Sequence, residues 1–85
     1  MNVMENEMSR LAEYKEVFDK TFCTAEESAE EMKYRGTEGW NSIGHMMLMT
    51  EIESVFGISL TTQDIMNFHN YQKGIEILRK YEIEL

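Results

Sequence analysis

The sequence predicts an all-α protein, a small four-helix bundle with three main helices, a short third helix and a long first loop. Three observations predict it. Apolar residues recur at the 3.6-residue spacing of helices, and strand-like alternation over useful lengths is missing. The chain contains no proline and only five glycines, which suits helices joined by few tight turns. Its 85 residues allow one core, so residues 1–85 read as a single domain. A chain of this size buries only about 60% of the surface its unfolded form exposes, leaving little room for a deep, water-excluding active site.

In order along the chain, the first helix is expected over about residues 3–21, with Met4, Met8, Leu11, Phe18 and Phe22 on one side. Lys15 falls on that side and would snorkel. A long connection, residues 22–40, follows. Thr24 and Glu27 there have the spacing of a capping box, Met32 and Tyr34 are candidates to pin it to the core, and Gly36 and Gly39 loosen it before Trp40. The second helix starts at Ser42 and ends at Phe56, with Gly57 as its stop. Thr61 or Thr62 caps a short third helix that has Asp64 in its first turn and turns Ile65 and Phe68 inward. The last helix, about residues 71–81, aligns Tyr71, Gly74, Ile75 and Leu78, with Lys73, Arg79 and Lys80 expected to place positive charge toward its C-terminal half, where the dipole favours cations.

Charge narrows the function classes. Sixteen acidic residues stand against eight Lys and Arg, a formal net charge of −8. Nucleic acid and anionic membrane surfaces, both of which need clustered cations, are not expected partners. A partner with a basic patch would be steered to this surface in a salt-sensitive encounter. Between Arg35 and Lys73 there is no Lys or Arg, while Glu38, Glu51, Glu53 and Asp64 fall in that stretch, so a one-signed acidic surface is expected there. Cys23 is the only cysteine, so no internal disulfide forms, which fits a reducing interior. The N-terminal segment lacks the basic and apolar regions of a signal peptide, and no apolar run approaches a membrane span. A cytoplasmic, soluble monomer is expected. Cys23, His45 and His69 do not have metal-ligand spacing, and Glu26, Glu27, Glu30 and Glu31 lack the alternation of a calcium loop and read as a solvated face.

The second helix is the unusual element. At 100° per residue, His45, Leu48, Met49, Ile52, Val55 and Phe56 share one side, while Ile43, Met46, Met47 and Thr50 share another. A surface helix normally carries one apolar stripe. Two arrangements satisfy the pattern: the long connection covers the second stripe, or that stripe stays on the surface as a docking face beside Glu51 and Glu53. Trp40, just before the helix, reads as an anchor for the loop, with partner contact as the alternative.

The run Trp40-Asn41-Ser42-Ile43-Gly44-His45-Met46 opens this helix, Ile52-Glu53-Ser54-Val55-Phe56-Gly57-Ile58 closes it, and Thr61-Thr62-Gln63-Asp64-Ile65-Met66 follows. In these segments, and in the helix from Tyr71 to Leu78, the sequence resembles the acyl carrier protein family over residues 40–78, and more loosely over the whole chain. The resemblance implies an acyl-carrier-protein-like bundle and a carrier, not an enzyme. It implies a 4′-phosphopantetheine arm on Ser42, the serine of the family's Asp-Ser-Leu-type motif. A phosphopantetheinyl transferase would attach the arm, an acyl- or aminoacyl-loading ligase or acyltransferase would load it, and synthase enzymes of a fatty-acid, polyketide or other biosynthetic pathway would use the thioester. Asn41, Ile43, Met46, Met47, Thr50, Glu51 and Glu53 would form the docking face. Two departures accompany the match. Asn41 stands where the family has Asp, so it can cap the helix but supplies no negative charge. Gly44 and Met47 stand where fatty-acid carriers tend to have acids, which points toward a dedicated pathway.

Two other readings differ in kind. One is a non-pantetheinylated acidic helical protein-interaction module of carrier ancestry, using the same face. The other is a small hydrolase pairing Ser42 with His45, three residues on, a local spacing that is not the geometry such sites use. On the residues alone His45 is a partly buried, hydrogen-bonded histidine.

Overall fold

The computed structural model describes residues 9–23 and 27–85. Four α-helices and one 3₁₀ turn account for its regular structure: α1, Arg10–Phe22; the turn, Ala29–Glu31; α2, Ser42–Phe56; α3, Thr62–Asn67; and α4, Tyr71–Lys80. Among the described residues there is no strand beyond an isolated bridge between Lys33 and Asn70, so the all-α expectation holds.

Each helix begins on a polar side chain that accepts an orphan N–H of the first turn. Ser9 caps α1, Asn41 caps α2, Thr61 caps α3 and Asn70 caps α4. Both α1 and α2 end on a left-handed residue, Cys23 at φ 50° and Gly57 at φ 66°. The second helix therefore has the bounds expected from Ser42 and Gly57.

The first helix is shorter than expected and differently turned. Ser9 is extended, at φ −64° and ψ 162°, and its side chain accepts from the Ala12 N–H, which starts the helix at Arg10. Met4 and Met8 lie outside the described residues. The inward face is Tyr14, Val17 and Phe18, with Phe22 half-buried against the core as expected, while Leu11 is exposed and Lys15 reaches Glu30 in the solvent. The phase is set by Tyr14, whose phenol donates to the Tyr71 carbonyl of α4 at 2.7 Å while its ring packs edge-on to Phe18. Burial pushes that phenol far above its ordinary pKa, so it remains a donor.

The core joins this aromatic cluster to Leu48, Met49, Ile52 and Phe56 of α2 and to Ile75 and Leu78 of α4. The long connection is stitched to α4 instead of lying over α2. Ala29 and Met32 are buried, Lys33 bridges Asn70, and the Tyr34 N–H donates to the His69 carbonyl at 2.9 Å. The Thr24 of the expected capping box lies outside the described residues.

In α3 Thr61 is the cap, Phe68 is buried as expected and Ile65 is half-buried, but Asp64 is buried as well. Its carboxylate accepts from Lys80 Nζ at 2.7 Å and from the Tyr81 hydroxyl at 2.7 Å, and the Tyr81 oxygen accepts in turn from the Thr61 N–H at 3.0 Å. Lys80 first, and Tyr81 second, hold this carboxyl below the usual carboxylate range. The ionised form is thus bound more tightly in the folded chain. Its contribution is complete above the unfolded carboxyl pKa of about 3.9 and is lost as pH falls through the lower folded value. Asp64→Asn is therefore expected to lower stability by about 1–2 kcal/mol at neutral pH, with the difference from the parent shrinking in acid. Urea midpoints between about pH 7 and pH 3 check this; a gap that widens in acid would contradict it.

Candidate functional site

The site is built at the start of α2. Asn41 is extended, its Oδ1 accepts the Gly44 N–H at 2.9 Å, and its carbonyl accepts the His45 N–H at 2.7 Å. With those two amides taken by Asn41, the first-turn amides of Ser42 and Ile43 remain at the positive end of a 15-residue helix. Ser42 is exposed there.

Gly44 has a packing reason to be glycine. A Cβ at this position would overlap the carbonyl oxygen of Gly39, which backs onto the helix with its own φ at +89°. An acid could not stand here with the loop in this position.

Behind the serine, Trp40 is 1% exposed and is the loop's anchor. It stacks on Phe22 with ring centroids 5.1 Å apart and meets Phe18 edge-on. Its indole N–H donates to His45 Nδ1 at 3.0 Å. An indole nitrogen can only donate, so His45 carries its proton on Nε2 and gives it to the Ile65 carbonyl at 2.7 Å. Both imidazole nitrogens are committed, and neither is bonded to Ser42. The Ser-His nucleophile pair has no base.

Both stripes of α2 are accounted for. Leu48, Met49, Ile52 and Phe56 are buried, whereas Ile43, Met46 and Met47 are 75%, 52% and 56% exposed and Thr50 is also exposed. The second stripe is a surface face. It lines a cleft of about 660 Å³ between α1 and α2, with Lys20, Thr21 and Glu51 on its border. A second cleft of about 410 Å³ opens between α2 and α3, lined by Tyr34, His45, Met46, Ile65, Met66, Phe68 and His69. Ser42 belongs to both clefts.

The two acids expected beside the stripe differ. Glu51 is partly exposed and faces Lys20 at 3.7 Å, a solvent-screened pair of small worth. Glu53 turns away to the segment after α2, where its Oε2 accepts the Leu60 N–H at 2.8 Å. It closes that turn and is not a free flanking charge.

Tyr34 was expected only as a core pin, and it is the site residue the sequence reading missed. It is half-buried, and its hydroxyl lies 3.4 Å from Ser42 Oγ. The seven intervening residues carry no motif linking the two, and only the closed loop brings them together.

Among the described residues no helix is long and apolar enough to cross a membrane, and no group of three or more His, Cys, Asp or Glu is placed to hold a metal ion. Comparison with protein-family models, with curated proteins and with solved structures gives no match.

Proposed function

We propose that this chain is an acyl-carrier-type protein that bears a 4′-phosphopantetheine arm on Ser42 and presents a thioester-bound acyl or aminoacyl intermediate to partner enzymes. The observation that carries the reading is an exposed serine at the first position of α2. Beside it lies an exposed apolar stripe, in the helix order that resembles the family.

The residues fit the group. In the attachment, Ser42 Oγ gives up its proton and forms the new oxygen–phosphorus bond as the bond from phosphorus to the adenosine bisphosphate of coenzyme A breaks. A phosphodiester on that oxygen would face the free first-turn amides and the helix dipole. The two clefts beside Ser42 give an attached arm apolar walls on either side. When bound, the arm supplies the thiol that forms the thioester. The chain itself then needs no activated nucleophile, in keeping with the commitment of His45 to Trp40 and Ile65. Ile43, Met46, Met47 and Thr50 would supply the apolar contact to the transferase, loading enzyme and synthase enzymes, with Glu51 as the nearest charge.

Incubation with coenzyme A, magnesium and a broad-specificity phosphopantetheinyl transferase, followed by intact mass measurement, is expected to show one added phosphopantetheine. Ser42→Ala should show none while keeping stability within about 0.5 kcal/mol, since the exposed residue is not the cap. Failure to modify the parent chain, under conditions that modify an authentic carrier, would overturn the proposal in favour of an unmodified interaction module.

A further inference from the structure

The side of Ser42 that faces the long loop carries two groups that the attachment chemistry does not use. Tyr34 follows the Lys33–Asn70 bridge and its N–H is fixed to the His69 carbonyl, so the phenol is aimed from a braced backbone. Its hydroxyl stands 3.4 Å from Ser42 Oγ. Hydroxyl pairs usually bond at about 2.7–2.8 Å, so neither oxygen saturates the other, and the phenolic proton is available to an acceptor attached to the serine.

Arg35 is the last cation before a run of residues with none until Lys73. It sits in the left-handed region at φ 64°, uncommon for a side chain of its size, and the Trp40 carbonyl, accepting its N–H at 2.8 Å, holds it there. Its guanidinium lies 5.9 Å from the centre of the Tyr34 ring. Among the described residues no carboxylate pairs with it, whereas Lys20, on the other side of Ser42, already faces Glu51.

We propose that Tyr34 and Arg35 form a receptor for a phosphate ester carried on Ser42 Oγ, the phenol donating to a phosphate oxygen and the guanidinium supplying the opposing charge. The inference rests on the reading of Ser42 as the modified residue, and it gives the loop a positioning role. By holding the phosphate against Tyr34, the loop directs whatever lies beyond it toward the α2–α3 cleft, which Tyr34 lines, and away from the α1–α2 cleft, which it does not.

The probe is the full chain with phosphoserine encoded at position 42, which requires no transferase. The second ionisation of a phosphoserine lies near 6 and is read by phosphorus NMR titration. In the parent loop it is expected below its value in Tyr34→Phe and in Arg35→Gln, by about 0.5 for each, modest because Arg35 is exposed. Arg35→Gln alters a surface side chain, so the comparison survives even where Tyr34→Phe perturbs the loop. Equal ionisation in all three proteins would overturn the receptor. The coenzyme A mass measurement separates this from the carrier reading. A phosphate effect without transferase modification supports the receptor and sinks the carrier; modification without a phosphate effect does the reverse.

Discussion

Trp40→Ala is expected to lower folding stability by about 3–5 kcal/mol, the usual cost of emptying a fully buried aromatic site. The indole is 1% exposed and fills the space between Phe18, Phe22 and His45. Its loss leaves a cavity and removes the donor that fixes the His45 proton on Nε2. The bond from His45 to Ile65, which ties α2 to α3, loses its support with it. A domain this small has about 5–15 kcal/mol in hand, so the variant should be near its unfolding threshold at room temperature. Trp40→Phe separates packing from hydrogen bonding: it keeps a ring but leaves Nδ1 without its partner, at about 1–2 kcal/mol. Urea denaturation of the three proteins measures both. Equal stability of Trp40→Ala and the parent would mean that the loop before Ser42 is not anchored here.

Gly74→Ala is expected to be destabilising by about 2 kcal/mol, against the helix preference, which favours alanine over glycine by about 1 kcal/mol. An added Cβ would overlap the Tyr14 hydroxyl and the Phe68 ring, with Phe68 Cε1 only 2.6 Å away. All three residues are buried, so the neighbours have nowhere to retreat, and overpacking of this kind costs about 1–3 kcal/mol before the lost hydrogen bond from Tyr14 to Tyr71 is added. The cost should be smaller in a Tyr14→Phe background, because the atom that clashes most is gone. A double-mutant cycle on denaturant midpoints measures that coupling. A stability gain from Gly74→Ala in the parent would show that propensity outweighs the contact.

What the sequence made legible was local. The bounds of α2 follow from Asn41 and Gly57, each acting on its immediate neighbours. The two-sided apolar pattern of that helix is also local, although periodicity alone left open whether the second stripe was covered. The structure leaves it exposed because the long connection is tied at Lys33 and Tyr34 to Asn70 and His69, just before α4.

What was misread depended on distant partners. Tyr14, placed by no motif, sets the phase of α1 through a carbonyl 57 positions away. Asp64 reads as a surface acid until Lys80 and Tyr81 are beside it. Tyr34 becomes a neighbour of Ser42 only when the loop closes. Gly44 carried a signal that was read for its charge, whereas its cause is the contact with the Gly39 carbonyl. The placement of Ser42 on an exposed first turn was readable; the set of groups around it was not.

Two of the four residues on the exposed face of α2 are thioethers, Met46 and Met47, and Met66 of α3 is also exposed across the second cleft. An unbranched, polarisable side chain adapts its shape to what it meets, so this face is plastic and can conform to surfaces of different outline. On the proposed carrier reading, choice among partners would have to come from features that do not yield, such as charge and the direction in which Ser42 points. The same sulfur atoms are open to oxidants, while Met32 and Met49 are shielded in the core. Sulfoxide formation would make the face polar before it disturbed the fold. On the same carrier reading, oxidation of Met46 and Met47 would alter the docking face while Met32 and Met49 kept the core intact.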